Sequence, residues 1–248
     1  MSRRSLTGLL GAVLAVALWW VVSAGSTNPY FPPLSRVLDN LTGYWLGGAG
    51  TEHLLDSVRN LGVGLGIAVV LGIGLGMLIG QVRVLDQAVS PTFEFVRAIP
   101  ATALLPFAMV VFGLGTTMKI VIIALGCFFP VLLNVIDGCR QLPPTLLDTT
   151  RSFKIRGWFH QVNVVAPAIY PRAAAGIRIA IPLALILVVT SEMTGTSTGI
   201  GFVLTTAQSS FNLVAVWSAI LLLGILGVLL NLLFGAVERL TDRRYHRA

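Results

Sequence analysis

Residues 60–82 read NLGVGLGIAVVLGIGLGMLIGQV, a run with no charged side chain between Arg59 and Arg83. A helix needs about 20 mostly apolar residues to cross the roughly 30 Å hydrocarbon core of a bilayer, and this run is long enough. Its glycines also have helical spacing. Gly72, Gly76 and Gly80 recur every four residues, as do Gly62 and Gly66, so each set forms a smooth strip on one helix face. Such strips let backbones approach closely in lipid, where no hydrophobic force draws helices together. The run therefore reads as a transmembrane helix. A tight helix interface is the expectation for its glycines, with ordinary glycine tolerance in membranes as the alternative.

The rest of the 248-residue chain follows the same pattern. Hydrophobic residues make up 55% and charged residues only 11%, with a mean hydropathy of +0.86. A soluble domain carries roughly a quarter charged residues, so this chain cannot cover itself with polar groups. That excludes a cytosolic enzyme, a disordered tail and a secreted disulfide scaffold. Cut at its charges, the chain yields six spans, near residues 6–24, 60–82, 98–116, 119–136, 173–193 and 214–236. The expectation is one domain over 1–248, an all-α polytopic membrane protein with a long break at 137–172. Ser2-Arg3-Arg4-Ser5-Leu6 loosely resembles an export signal, but five further apolar runs follow, and an uncleaved first helix is expected. Cys127 and Cys139, the second of them in a polar loop, are too few for a disulfide framework and read as free thiols.

The basic residues orient the spans. With six crossings both ends lie on one side, which collects all but three of the 17 Lys and Arg. The other side receives Arg36, Arg59 and Lys119, balanced by Asp39, Glu52 and Asp56. Lys and Arg accumulate in cytoplasmic loops, so both termini and residues 137–172 are expected in the cytoplasm. The net charge of +7 is then a topology signal and an attraction to anionic membrane lipid, not a nucleic-acid footprint.

Residues 137–172 are too long for a bare connection. Pro143-Pro144-Thr145 reads as a helix start, with Thr145 as N-cap and Asp148 favouring the positive helix end. Ile155, Trp158, Phe159 and Val162 then fall on one apolar stripe, with Lys154, Arg156, His160 and Gln161 off it. Pro167 is expected to end that pattern and Pro171 to introduce the next span. Two short helices of this kind suit either a soluble partner or the membrane surface.

The run Leu147-Asp148-Thr149-Thr150-Arg151-Ser152-Phe153-Lys154, then Trp158, Val164-Val165-Ala166-Pro167-Ala168 and Gly176-Ile177-Arg178, resembles a known loop. It is the "EAA" loop of membrane subunits of bacterial ATP-binding-cassette importers. More narrowly, the chain looks like the permeases of the nitrate, sulfonate, taurine and bicarbonate group. Phe95-Val96-Arg97-Ala98-Ile99-Pro100, Tyr30-Phe31-Pro32-Pro33 and Ser191-Glu192-Met193-Thr194-Gly195 are similar to other stretches of that group. The match departs from the family pattern at Thr149 and Thr150, which are bulkier than usual, and at Lys154, where glycine is usual.

The resemblance implies a type I importer permease fold working as a homodimer in the bacterial inner membrane. Each copy would dock one cytoplasmic ATPase through Leu147–Lys154 with Ile155, Trp158 and Phe159, and an external solute-binding protein would deliver a small anionic solute. No Gly-Lys-Ser/Thr phosphate loop exists here, since Lys119 follows Met118 and Lys154 follows Phe153. This chain is therefore expected to be no enzyme and to bind no cofactor or metal, with ATP and Mg held by the partner subunits.

Glu192 is the one acidic group near the end of an apolar span, beside Thr190, Ser191 and Thr194. It either lines the external mouth or bonds a helix end and fixes the glycine-rich turn after it. Gln208 is a further pathway candidate. Phe129, in Phe128-Phe129-Pro130, reads as gate or core. Asn134 is expected to bond a neighbouring helix. Two rival classes stay open. An ion-coupled carrier or channel would need more buried ionisable groups than Glu192, and a lipid-moving permease would dock ATPases without an external receptor. His53, His160 and His246 all fall outside the spans, which argues against an intramembrane protease.

Overall fold

The computed structural model describes residues 3–245, with side chains described for residue 11 and residues 14–241; His246, Arg247 and the side chains of Arg3, Arg4, Arg243 and Arg244 lie outside that set. All described secondary structure is helical. The chain runs through α1 (Arg3–Ser23), α2 (Leu34–Asn40), a π-turn (Leu41–Leu46), α3 (Gly50–Gln81) and α4 (Arg83–Ala98). A 3-10 turn (Ala101–Leu104) leads into α5 (Leu105–Phe112), then α6 (Thr116–Arg140) and α7 (Pro144–Ser152). The chain closes with α8 (Gly157–His160), a second π-turn (Gln161–Val165), α9 (Ala166–Met193), α10 (Ile200–Ser209) and α11 (Leu213–Tyr245).

Glycine on α3 makes the core. A Cβ added to Gly64 would meet Ile123, on Gly72 Val131, on Gly76 Val135 and on Gly80 Cys139, each at 2.9 Å or less. With Ala68, these small residues form one strip of period four, against which α6 lies in parallel. The sequence strip through Gly72, Gly76 and Gly80 is thus a helix interface, and Gly64 continues it. Gly62 and Gly66 have nothing within 4 Å and take no part. Helix α9 packs antiparallel on α6, with Gly176 against Pro130 and Gly126 against Leu187.

Because α3 and α6 are parallel, the chain must return along the bundle between them. It does so through α4 and the 101–112 segment, bent by 81° relative to each other. One continuous helix over 98–116 is therefore corrected. Ile99 is extended, Pro100 precedes a new helix start, and Gly113 ends α5 with φ 74°.

Among the described residues, four helices are long and apolar enough to cross a membrane: Gly50–Gln81, Thr116–Arg140, Gly157–Met193 and Leu213–Thr241. The bent pair makes five if it counts as one crossing. The first expected span falls in α1, whose described apolar run is Leu14–Ser23. Helices also extend beyond the charge-free runs: α3 starts ten residues earlier than residue 60, and α11 continues past 236.

The break at 137–172 is shorter than expected. Residues 137–140 belong to α6, and the helix from Gly157 runs on to Met193. Pro167 does not end it, nor does Pro171 begin a new span. A π-turn lies immediately before Pro167, where the helix must absorb a missing N–H. Cys139 lies buried in α6 rather than in a polar loop, and Cys127 is buried too; both thiols are free.

Candidate functional site

The irregular elbow between α6 and Gly157 is built by proline and left-handed turns. Pro144 opens α7 with no side-chain cap, so Thr145 is not the N-cap; its carbonyl instead accepts from Thr149 Oγ1 at 2.7 Å. Thr150 Oγ1 donates to the Leu147 carbonyl and Ser152 Oγ to the Asp148 carbonyl, both at 2.9 Å. These hydroxyls are satisfied within α7. Asp148 and Arg151 meet only loosely at 3.6 Å, their side chains 72% and 79% exposed.

Lys154 closes α7 in the left-handed region, at φ 55°. Its N–H reaches the Arg151 carbonyl at 3.0 Å, and the Ile155 N–H reaches Thr150 at 2.9 Å. That pair of bonds is a Schellman cap, whose left-handed position glycine usually fills. The turn expected of glycine is thus retained with lysine, at a steric cost. Gly157, at φ 65°, makes the second reversal.

The elbow leaves its aromatic residues uncovered. Phe153, Trp158 and Phe159 are 75%, 81% and 63% exposed. Two short helices were expected; the structure has one, α7, followed by the first turn of the long helix. Reciprocal amide bonds between Gln81 and Gln161, both 2.9 Å, tie that turn to the end of α3. Arg140 reaches from α6 to Asp86 on α4 at 2.8 Å. The turn that follows the elbow is therefore tied to α3, and the end of α6 that precedes it is tied to α4.

The pathway candidates separate. Phe129 lines a cavity of about 540 Å³ at the α4–α5 break, together with Arg97, Pro100, Asn134 and Ile179. Asn134 bonds the Pro130 carbonyl of its own helix at 2.8 Å, not a neighbouring helix. Thr190, Ser191 and Thr194 each donate to a carbonyl of the preceding turn. Gln208 is exposed, and its carbonyl accepts from Phe211 N–H at the end of α10.

Glu192 is 1% exposed. Its carboxylate accepts from Ser57 Oγ at 2.8 Å and from the Gly201 N–H at 3.0 Å, which satisfies a free donor at the start of α10. Lys119 Nζ lies 3.8 Å away and donates to Asp56 Oδ2 at 2.9 Å, the Thr198 carbonyl at 2.9 Å and Thr198 Oγ1 at 3.1 Å. Ser57 Oγ accepts from the Ile200 N–H at 2.8 Å, and His53 Nδ1 from the Gly199 N–H at 3.2 Å. This cluster pins the linker from α9 to α10 onto the starts of α3 and α6. The geometry supports the helix-end role weighed for Glu192. Sequence reading missed Lys119, Asp56, Ser57, Thr198 and His53. A lone lysine between two apolar runs was the one available signal.

The profile of a family described as "binding-protein-dependent transport system inner membrane component" matches residues 68–247. The chain belongs to that family. An ABC transporter permease, by name, of Methanocaldococcus jannaschii is 30% identical over 88% of this chain and 84% of its own. A nitrate import permease of Leptolyngbya laminosa is 28% identical over 95% and 87%, and a bicarbonate transport system permease of Synechococcus elongatus is 27% identical over 94% and 87%. This permease is thus a multi-pass inner-membrane component of an importer, and its relatives are named as transport permeases.

Proposed function

We propose that this permease works as a homodimer that moves a small oxyanion inward, each copy gripped by one cytoplasmic ATPase at the elbow from Leu147 to Phe159. ATP and Mg are held by that ATPase, the solute arrives from an external binding protein, and both termini face the cytoplasm. The observation that carries this reading is the elbow itself. It presents α7 and three uncovered aromatic side chains, is capped by a Schellman turn and leads through the reversal at Gly157 into a helix of 37 residues. A partner that clasps such an elbow moves the helix with it, because a helix transmits displacement along its axis. The oxyanion class is supported by the nitrate and bicarbonate named for the relatives.

Asp148→Arg tests docking. Asp148 is exposed and bonded only loosely, so the substitution is expected to leave the melting midpoint within about 0.5 kcal/mol of stability while stripping the ATPase during co-purification. Full retention of the ATPase overturns the docking assignment.

A further inference from the structure

Behind the elbow lies a cleft of about 980 Å³, between the α3–α4 junction and the α7–α8 turn. Its lining holds Arg83, Arg140, Arg151 and Arg156 against a single carboxylate, Asp86. Arg140 is committed to Asp86 at 2.5 and 2.8 Å and to Asp137 at 3.2 Å. Arg151 has only the loose, exposed contact with Asp148. Arg83 and Arg156, on opposite walls of the cleft, make no hydrogen bond or ion pair among the described residues; both are exposed.

Like charges around a shared void repel, and among the described residues no carboxylate pairs with these two. Guanidinium groups are fork-shaped donors that match planar or tetrahedral oxyanions and are weakly hydrated, so they give up water to an anion readily. We propose that the cleft is an oxyanion-binding site in which Arg83 and Arg156 hold a phosphate- or sulfate-type group, either a free anion or the headgroup of an anionic lipid. The bound anion joins the wall next to α3 to the wall next to α7, and so sets how stiffly the elbow is held to the core. That consequence rests on the elbow being the ATPase grip; the binding itself does not.

The test uses the assembled transporter in lipid-depleted detergent, with sodium sulfate or phosphate titrated against chloride at matched ionic strength. A second arm uses nanodiscs of phosphatidylcholine with and without phosphatidylglycerol. A saturable rise in melting midpoint is expected in one arm, and which arm responds tells free anion from headgroup. In Arg83→Gln/Arg156→Gln the half-saturating concentration should rise by about tenfold, while Arg36→Gln on the far side responds as wild type. Absence of a shift in both arms, or a double variant that responds like wild type, overturns the proposal. Loss of the ATPase from the double variant also overturns it, because the two arginines would then be binding an acidic group of the partner. Asp148→Arg separates the two readings: it is expected to lose the ATPase and keep the anion response.

Discussion

Lys119 and Asp56 lie 63 residues apart in the chain, yet their side chains meet at 2.9 Å with the lysine 1% exposed. All three lysine protons find an acceptor, in Asp56 and in the carbonyl and hydroxyl of Thr198, and Glu192 lies behind them. Breaking a buried ion pair by removing one partner costs far more than the pair contributes when intact, since the survivor is left buried and unpaired. This gives the cluster a clear experimental signature.

Lys119→Met leaves two carboxylates facing each other without a cation. It is expected to lower stability by about 3–5 kcal/mol, read as a fall in melting midpoint of the purified transporter. Adding Asp56→Asn should recover only part of the loss, because Glu192 stays buried. Equal midpoints for wild type and Lys119→Met would show that the cluster contributes nothing.

Gly199 is held at φ 111°, and a Cβ there would run into the Glu192 carboxylate. Gly199→Ala combines an unfavourable backbone with a clash against a buried carboxylate. A loss of about 3 kcal/mol is expected, measured by the same melting assay. A midpoint unchanged from wild type would mean that the linker is not pinned.

Two neighbouring glycines on α3 give a paired test. A Cβ on Gly76 would sit 2.7 Å from Val135 Cγ1 and 3.0 Å from the Leu132 carbonyl, whereas Gly74 has nothing within 4 Å. Gly76→Ala should cost about 1–3 kcal/mol. Gly74→Ala should be neutral or stabilising by up to about 1 kcal/mol. The reverse order in melting midpoint would contradict the α3–α6 interface.

Lys154→Gly relieves a left-handed residue at the end of α7. The steric relief exceeds the entropy that glycine adds to the unfolded chain, so a net gain of about 0.5–1 kcal/mol is expected. Circular-dichroism melting is sensitive enough to resolve it. A loss would indicate that the lysine side chain makes a compensating contact.

The apolar runs were legible because their cause is local. Each of α6, α9 and α11 contains its run, and α3 contains all of its run but Val82, since hydrocarbon solvation acts residue by residue. Helix ends were not legible: a helix does not stop where its apolar stretch stops, as Gly50 and Tyr245 show. The broken segment at 98–116 read as one helix because its hydropathy is continuous; the mark of the break was Pro100, which pushes Ile99 into extended backbone, and hydropathy outweighed it. At the elbow, the left-handed turn expected of a glycine was found on lysine, and the π-turn before Pro167 kept a helix going where proline suggested an end.

Four-residue spacing could mark glycine strips on α3 but could not choose between Gly66 and Gly64, because only the partner helix distinguishes one face from another. Likewise Glu192 stood out as an isolated acid, but its bonds to Ser57 and Gly201 and its proximity to Lys119 depend on chain segments far apart in order. The amino-acid order alone determined that this is a helical membrane protein of the importer-permease type, because hydropathy and motif spacing are properties of short stretches. Tertiary structure alone decided which charges are neutralised, which arginines are left facing one another across a cleft, and which glycines touch. Those outcomes depend on distances between residues that meet only after the helices pack.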